Sequence, residues 1–458
     1  MSPERRTLRP RPHPLALTIA LALAGTSLTA PSIARCAVLP VTSCADDGSP
    51  GTLRSVVALA HDGDTVDMTQ LTCSTITLQH GQINPCTVTE LTIHGPGRDR
   101  LTIDGRGASP ILYVGNLYYG FDPECSSGNH GIFTLTDVTL AHGLSDPYLW
   151  NAYYQRSACL SSLYGSTVLE RVTITDCHSY FNNAFGGGAV GARALTMIDS
   201  TISDSSVRRV GYDGPAQGGG ANVDGQVTLI RSTISGNSAI GQTAQGYPGG
   251  GGLSAGSLVM VDSAITGNTC VATNDGQNAS GGGVYVFGST ILLRSTIADN
   301  SADGDGGGLF TQGGAAFTIQ DSTIADNTAG GSGGGLYSQW PVTITNSTIA
   351  DNYSALGGAV RLVPHTTLFG VGWPDFESTI IAGNSAGPAA VYATDLSSDG
   401  AVIVFGANNL VGDADAGITL PPDTLRGDPQ LLPLVDNGGL TETMALAPGS
   451  PAIDAGSN

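Results

Sequence analysis

Three sets of side chains in this sequence have the chemistry to act on a ligand, and each also has a plain structural use. The first set is aromatic. Nearly half of the aromatic residues fall between Tyr113 and Phe185, among them Tyr118, Tyr119, Tyr148, Trp150, Tyr153 and Tyr154, in two long insertions around Cys125 and Cys159. Rings exposed beside Asp122, Glu124, Asp146 and Arg156 would stack on sugars and make these six residues carbohydrate-binding candidates. The structural use is a small aromatic core inside large loops. The second set is acidic. Asp299, Asp326 and Asp351 recur at one position of a repeat, close to Asp303 and Asp305. Like charges about 4.8 Å apart repel by roughly 1 kcal/mol in water. A shared Ca²⁺ would relieve that repulsion, and solvated turn carboxylates explain the pattern equally well. No other cofactor is implied.

The third set alternates in sign. Asp137, Arg171, Asp199, Arg231, Asp262, Arg294 and Asp321 occupy equivalent places in seven successive repeats, followed by Asn346. A row of arginines could grip an acidic polysaccharide. Opposite charges on neighbouring strands also form a neutral ladder, which is what a stacked sheet favours. On that reading Arg171, Arg231 and Arg294 lie between carboxylates on the outer face. His130, His142 and His178 can approach one another, but their spacing matches no metal-ligand pattern.

These inventories weigh against catalysis. A polysaccharide lyase needs a base, usually Lys or Arg, set against an acidic sugar. All 18 basic residues are Arg, and those on the repeat face are matched by Asp. A glycoside hydrolase needs two carboxylates at a set separation, and no Asp pair stands out from the repeat. The expectation is therefore a non-catalytic protein, adhesin-like or glycan- or matrix-binding, with a polysaccharide lyase or glycoside hydrolase as the alternative.

The positioning element is a repeat. Leu293–Asn300, Gln320–Asn327 and Thr345–Asn352 are near copies built on Ser-Thr-Ile-Ala-Asp-Asn. A glycine cluster and an apolar residue follow each of them: Gly306-Gly307-Gly308-Leu309, Gly333-Gly334-Gly335-Leu336 and Gly357-Gly358-Ala359-Val360. Extending the register gives an apolar column of Leu140, Ile174, Ile202, Ile234, Ile265, Ile297, Ile324, Ile349 and Ile381. A second column lies five residues earlier: Leu135, Leu169, Met197, Leu229, Met260, Leu292, Ile319, Ile344 and Phe376. Three residues after the first column stand Asn237, Asn268, Asn300, Asn327, Asn352 and Asn384. The steps run from 25 to 34 residues, the extra length falling mostly between the Asn and the glycines. Such periodicity, with β-branched residues and Gly-led bends, predicts an all-β, right-handed parallel β-helix with stacked Ile inside and an Asn ladder at one corner.

The rest of the chain frames the solenoid. Residues 1–34 read as a signal peptide: Arg5, Arg6, Arg9 and Arg11, an apolar run from Leu15 to Gly25, and Ser32-Ile33-Ala34 before the cleavage point. Export to the bacterial surface or beyond is expected, with no membrane insertion, since no later stretch would span a bilayer. Eight Cys in an exported chain favour disulfides. Local spacing suggests Cys73–Cys86 and Cys125–Cys159, with Cys177 simply buried at an Asn-ladder position. The net charge is −20, and removing the leader makes the remainder more acidic still. That excludes nucleic acid as a partner and leaves a polysaccharide or a host or cell-surface glycan, bound by a monomer. Residues 35–105 form an N-terminal cap and first coils, in which Leu53, Val56, Val57 and Ala60 share one face of a short capping helix. Residues 106–404 are the β-helix, with the aromatic insertions at about 113–165. Residues 405–458 are a C-terminal cap, a Pro- and Gly-punctuated meander over the last coil.

Gly51-Thr52-Leu53-Arg54-Ser55-Val56 with Gly63-Asp64-Thr65 resembles the small domain, named for a Cys-Ser-Leu-Arg-Glu-Ala run, that precedes many secreted bacterial β-helices. Here Gly51 and Ser55 replace that run's Cys and Glu. The repeats resemble those of polymorphic outer-membrane proteins and, more broadly, the pectin-lyase-like superfamily, which implies fold and surface display more than chemistry. Asp428-Pro429, Asp436-Asn437-Gly438-Gly439, Thr443-Met444-Ala445-Leu446 and Gly449-Ser450-Pro451-Ala452-Ile453-Asp454-Ala455-Gly456 resemble the choice-of-anchor Q region. That family's members carry it near the C-terminus, commonly ahead of a sorting or anchoring tail. No tail follows it here, which suggests release or a truncated sequence.

Overall fold

The computed structural model describes residues 36–85, 88–114, 131–146, 157–181, 186–209, 216–241, 248–273, 279–313, 317–363 and 373–457. They form an all-β parallel β-helix of about ten turns with one short helix. The crossover rule for parallel strands makes it right-handed.

Both apolar columns stack in the register read from the repeats. Leu140, Ile174, Ile202, Ile234, Ile265, Ile297, Ile324, Ile349 and Ile381 are consecutive partners in a 12-stranded sheet. The column from Leu135 to Phe376 runs likewise through a 19-stranded sheet. The solenoid also extends past the repeats: Ile76 and Ile103 precede Leu140, and Val411 follows Ile381. All of these side chains are buried, which removes a continuous apolar stripe from water.

A third sheet, nine-stranded, was not foreseen. Its strands begin just past the Asn corner, as in Ser238–Gly241, Thr269–Ala272 and Ser301–Ala302. They are only two to four residues long and open the stretch of variable length, so they carry almost no periodic signal. The glycine clusters close the coil. Gly306 has φ 68°, and a Cβ on Gly307 would run into the carbonyl oxygen of Gly334 in the next coil.

The N-terminal motif packs into the main core. Thr52 caps the helix Leu53–Ala58, and Leu53, Val56, Val57 and Ala60 are buried in the main core. The Arg54 guanidinium grips Asp46 at 2.8 and 2.9 Å and donates to the carbonyls of Gly81 and Gln82. Asp46 also accepts the N–H groups of Gln79 and His80. Burial alone would raise its pKa, but these donors hold it below the usual carboxylate range. Asp64 accepts from Ala37 and His61, and Thr65 pairs with Val38. Thr52, Arg54, Asp64 and Thr65 of the motif thus all have structural partners.

The disulfides differ from the expected pairs. Cys73 bonds Cys44, and Cys159 bonds Cys177. For Cys44 and Cys73, 29 residues apart, spacing misleads because stacking makes residues a full coil apart into neighbours; Cys159 and Cys177, only 18 apart, meet inside the buried core. Cys177 does take an Asn-ladder position and is buried, but as half of a bridge into the core. Cys86 and Cys125 lie outside the described residues.

The C-terminal segment splits its work. Phe405–Ala407 and Leu410–Val411 add to the stack, whereas Leu431–Val435 and Thr443–Leu446 form an antiparallel hairpin on the flank. Met444 packs on Ala325 and Ala350, and Thr296 Oγ1 donates to the Glu442 carbonyl at 2.7 Å. The hairpin therefore covers the side of the three near-identical repeats and not the end of the last coil.

Candidate functional site

The six aromatic candidates, Tyr118, Tyr119, Tyr148, Trp150, Tyr153 and Tyr154, lie outside the described residues, as do Phe121, Asp122, Glu124, Arg156 and His130. The other sequence candidates are in place, and the backbone explains most of them.

Asp137, Arg171, Asp199, Arg231, Asp262, Arg294, Asp321 and Asn346 all have φ between 46° and 55°. They form a left-handed corner in each coil, a conformation Asn and Asp tolerate better than most residues. Along the axis each Arg reaches one way only, and Arg171 also pairs through Nη1 with Glu170 of its own coil. Arg171 Nε and Nη2 donate to the two carboxylate oxygens of Asp137 at 2.7 Å. Arg231 does the same to Asp199, and Arg294 to Asp262 at 2.7 and 3.0 Å. The ladder is thus a set of two-pronged pairs and not a continuous rail. Asn346 ends it by donating to Asp321 at 3.1 Å. These guanidinium hydrogen bonds hold Asp137, Asp199 and Asp262 below the usual carboxylate range.

Asp299, Asp326 and Asp351 line a second left-handed corner, at φ 57°, 56° and 55°. Gly236, Gly267 and Gly383 hold the equivalent place in other coils, so backbone conformation selects the residue type. Partial burial lifts Asp326 and Asp351 above the usual range, and Asp326 is raised further by its two stacked neighbours. No grouping of three or more His, Cys, Asp or Glu able to hold a metal occurs among the described residues.

The Asn ladder is complete. Asn237, Asn268, Asn300, Asn327 and Asn352 each pass an Nδ2–H to the next Oδ1 at 2.9 to 3.0 Å. Asn384 passes its own to Asp395 at 2.8 Å. Every amide points the same way, so a carboxylate is the natural last acceptor. A parallel ladder of hydroxyls, Ser200, Ser232, Ser263, Ser295, Ser322 and Ser347, accepts a backbone N–H from the preceding coil at each step. It was missed because a Ser wedged between a charged residue and Thr reads as surface.

An aromatic array was also missed. On the outer face of the long sheet, Tyr285, Phe310 and Tyr337 stack with ring centroids 5.0 and 4.9 Å apart, and Arg361 continues their column. The Arg361 guanidinium lies 3.6 Å over the Tyr392 ring and is paired with Asp399. Phe287 stands exposed beside Tyr285. The signal was legible one residue past each glycine-led apolar position: Val284-Tyr285, Leu309-Phe310, Leu336-Tyr337, Val360-Arg361. The ring faces are spent on one another, leaving edges and the tyrosine hydroxyls outward. Of the three histidines expected to approach one another, His142 and His178 meet through a carboxylate. Asp104 contacts His142 at 3.0 Å, His142 lies 3.6 Å from Asp176, and Asp176 contacts His178 at 2.8 Å.

No helix among the described residues is long and apolar enough to cross a membrane. Comparisons with protein-family models, with curated proteins and with solved structures gave no match.

Proposed function

We propose that this chain is an exported β-helix protein of the bacterial surface or extracellular space that holds a glycan or matrix polymer without cleaving its backbone. The observation that carries this reading is the pairing of Arg171, Arg231 and Arg294, each held two-pronged by an Asp of the preceding coil. An arginine so held is a poor base for abstracting a proton from an acidic sugar, and a paired row gives a polyuronate little to grip. What remains is a rigid surface repeating its outward side chains coil by coil, suited to a ligand that itself repeats. The sequence likeness to choice-of-anchor Q and pectin-lyase-like proteins supports surface display, and the Arg-rich leader supports export.

Ligand contact is assigned to the aromatic insertions, with Tyr118, Tyr119, Tyr148, Trp150, Tyr153 and Tyr154 as the binding residues. Replacing Trp150 and Tyr153 by Ala is expected to abolish retention on a polysaccharide matrix and leave thermal unfolding almost unchanged. A double variant that keeps its retention would remove these residues from the site. One that loses several kcal/mol of stability would show the rings to be a loop core.

A further inference from the structure

We propose that Ser206, His178 and Asp176 form an acyl-transfer site on the outer edge of the N-terminal coils, acting on carboxylic esters. The parallel register sets Ser206 directly beside His178. Ser206 Oγ and His178 Nδ1 are 2.8 Å apart, and His178 Nε2 and Asp176 Oδ1 are 2.8 Å apart. One neutral tautomer satisfies both contacts: the hydroxyl donates to Nδ1, and Nε2–H donates to the carboxylate. This is the nucleophile, base and orienting acid of a Ser-His-Asp unit, and such units are known by geometry and role, with no fixed chain order.

The surrounding coils show that a structural rung does not require this trio. The same outward position is held by Leu144 one coil earlier and by Ser238 and Thr269 one and two coils later. Sheet stacking is satisfied there with no imidazole and no acid behind it. Among the described residues, only between Asp176 and Ser206 do a hydroxyl, a base and a carboxylate fall in sequence. His142 and Asp104 extend the chain behind Asp176. All three imidazole and carboxylate side chains at its centre are accessible: His178 is 39%, Asp176 50% and His142 51% exposed.

In the reaction Ser206 Oγ forms a bond to the acyl carbon while its proton passes to His178 Nδ1. Asp176 holds the resulting imidazolium, and the carbonyl oxygen takes the negative charge. Arg208, exposed two residues further along the same strand and on the same face, is the cation placed to meet that charge. Collapse of the intermediate breaks the acyl–oxygen bond to the alcohol, which leaves with the proton from His178. Water then repeats the two steps, releases the carboxylic acid and restores Ser206. A site that the described residues leave open suits an alcohol leaving group better than an amine, so the substrate class is an ester, such as an O-acyl group on a hydroxylated polymer. This activity is separate from the holding of the polymer backbone.

The test treats the full chain with a fluorophosphonate probe, maps the labelled peptide by mass spectrometry, and follows 4-nitrophenyl acetate hydrolysis. The expected result is a single label on Ser206, lost in Ser206→Ala, with hydrolysis slowed about 100-fold or more in Ser206→Ala and His178→Asn. Asp176→Asn, which tolerates the same backbone conformation, is expected to lower kcat with little change in KM and to alter the pH profile. Circular dichroism checks that each variant keeps its β-sheet content, and Ser206→Gly supplies a second test if Ser206→Ala does not fold. No label at Ser206 would overturn the proposal. So would hydrolysis that survives Ser206→Ala but is lost in His178→Asn, since the imidazole would then be acting alone.

Discussion

At the scale of single residues, the coil separates side chains that hold it together from those that only decorate it. Asn300 is 1% exposed, donates to Asn327 Oδ1 and the Ile265 carbonyl at 2.9 Å, and accepts the Asn268 N–H and side-chain amide. Asn300→Ala strands buried donors and acceptors at a cost of about 1–3 kcal/mol for each group. The variant is therefore expected to lose about 3 kcal/mol or more, read as a fall in the urea midpoint. Arg294→Ala breaks a pair that stands half in water and should barely move that midpoint. A larger shift for Arg294→Ala than for Asn300→Ala would reverse the assignment. The Asn column was legible in the sequence because an unusual residue recurs at a fixed offset. The Asp column was equally legible as a pattern but not as a cause: Asp299, Asp326 and Asp351 suggest a cation site until their left-handed backbone, shared with Gly236 and Gly267, shows what the position selects.

At the scale of elements, one contact explains why three repeats are so alike. The outward column of the 12-stranded sheet reads Thr175, Ser203, Ser235 and Thr266, then Ala298, Ala325 and Ala350. The change from hydroxyl to methyl falls where the C-terminal hairpin lies. The copies are alike because they share a docking surface, and sequence alone gave no hint that the last segment would return to them. Ala325→Arg is expected to lift the hairpin, so that limited proteolysis cuts within residues 431–446 and leaves the coils intact. Resistance to cleavage in that variant would show that the hairpin is held elsewhere. The opposite end was easier to read, because Leu53, Val56, Val57 and Ala60 sit at helical spacing. Deleting residues 35–62 uncovers the first coil and is expected to give aggregating protein. A deletion that stays monomeric and folds cooperatively would show that the helix is not a cap.

At the scale of the whole molecule, the shifted carboxylates divide along the axis. Towards the N-terminus Asp46, Asp62, Asp64, Asp137, Asp199 and Asp262 lie below their ordinary range. Their contribution to stability is present above the unfolded value near 3.8 and is lost as pH falls through the folded values. Towards the C-terminus burial raises Asp305, Asp326, Asp351 and Asp395. These groups bind protons more tightly when folded, so acidification towards about 4 relieves a cost there. Hydrogen exchange measured down a pH series should therefore show the N-terminal coils opening first below about pH 4, with the C-terminal coils holding or gaining protection above it. Uniform loss along the axis would contradict the division. Fold and register were largely legible in the sequence because a solenoid writes its packing once per coil. Function was not, because the insertions and the Asp176–His178–Ser206 trio are each present once. The decisive question for the molecule is whether it holds a polymer or cuts it. The measurement is incubation of the purified protein with a panel of plant and microbial polysaccharides, scoring retention together with new reducing ends and unsaturated products. Retention on at least one polymer with neither product is the result predicted; the appearance of either product would contradict it.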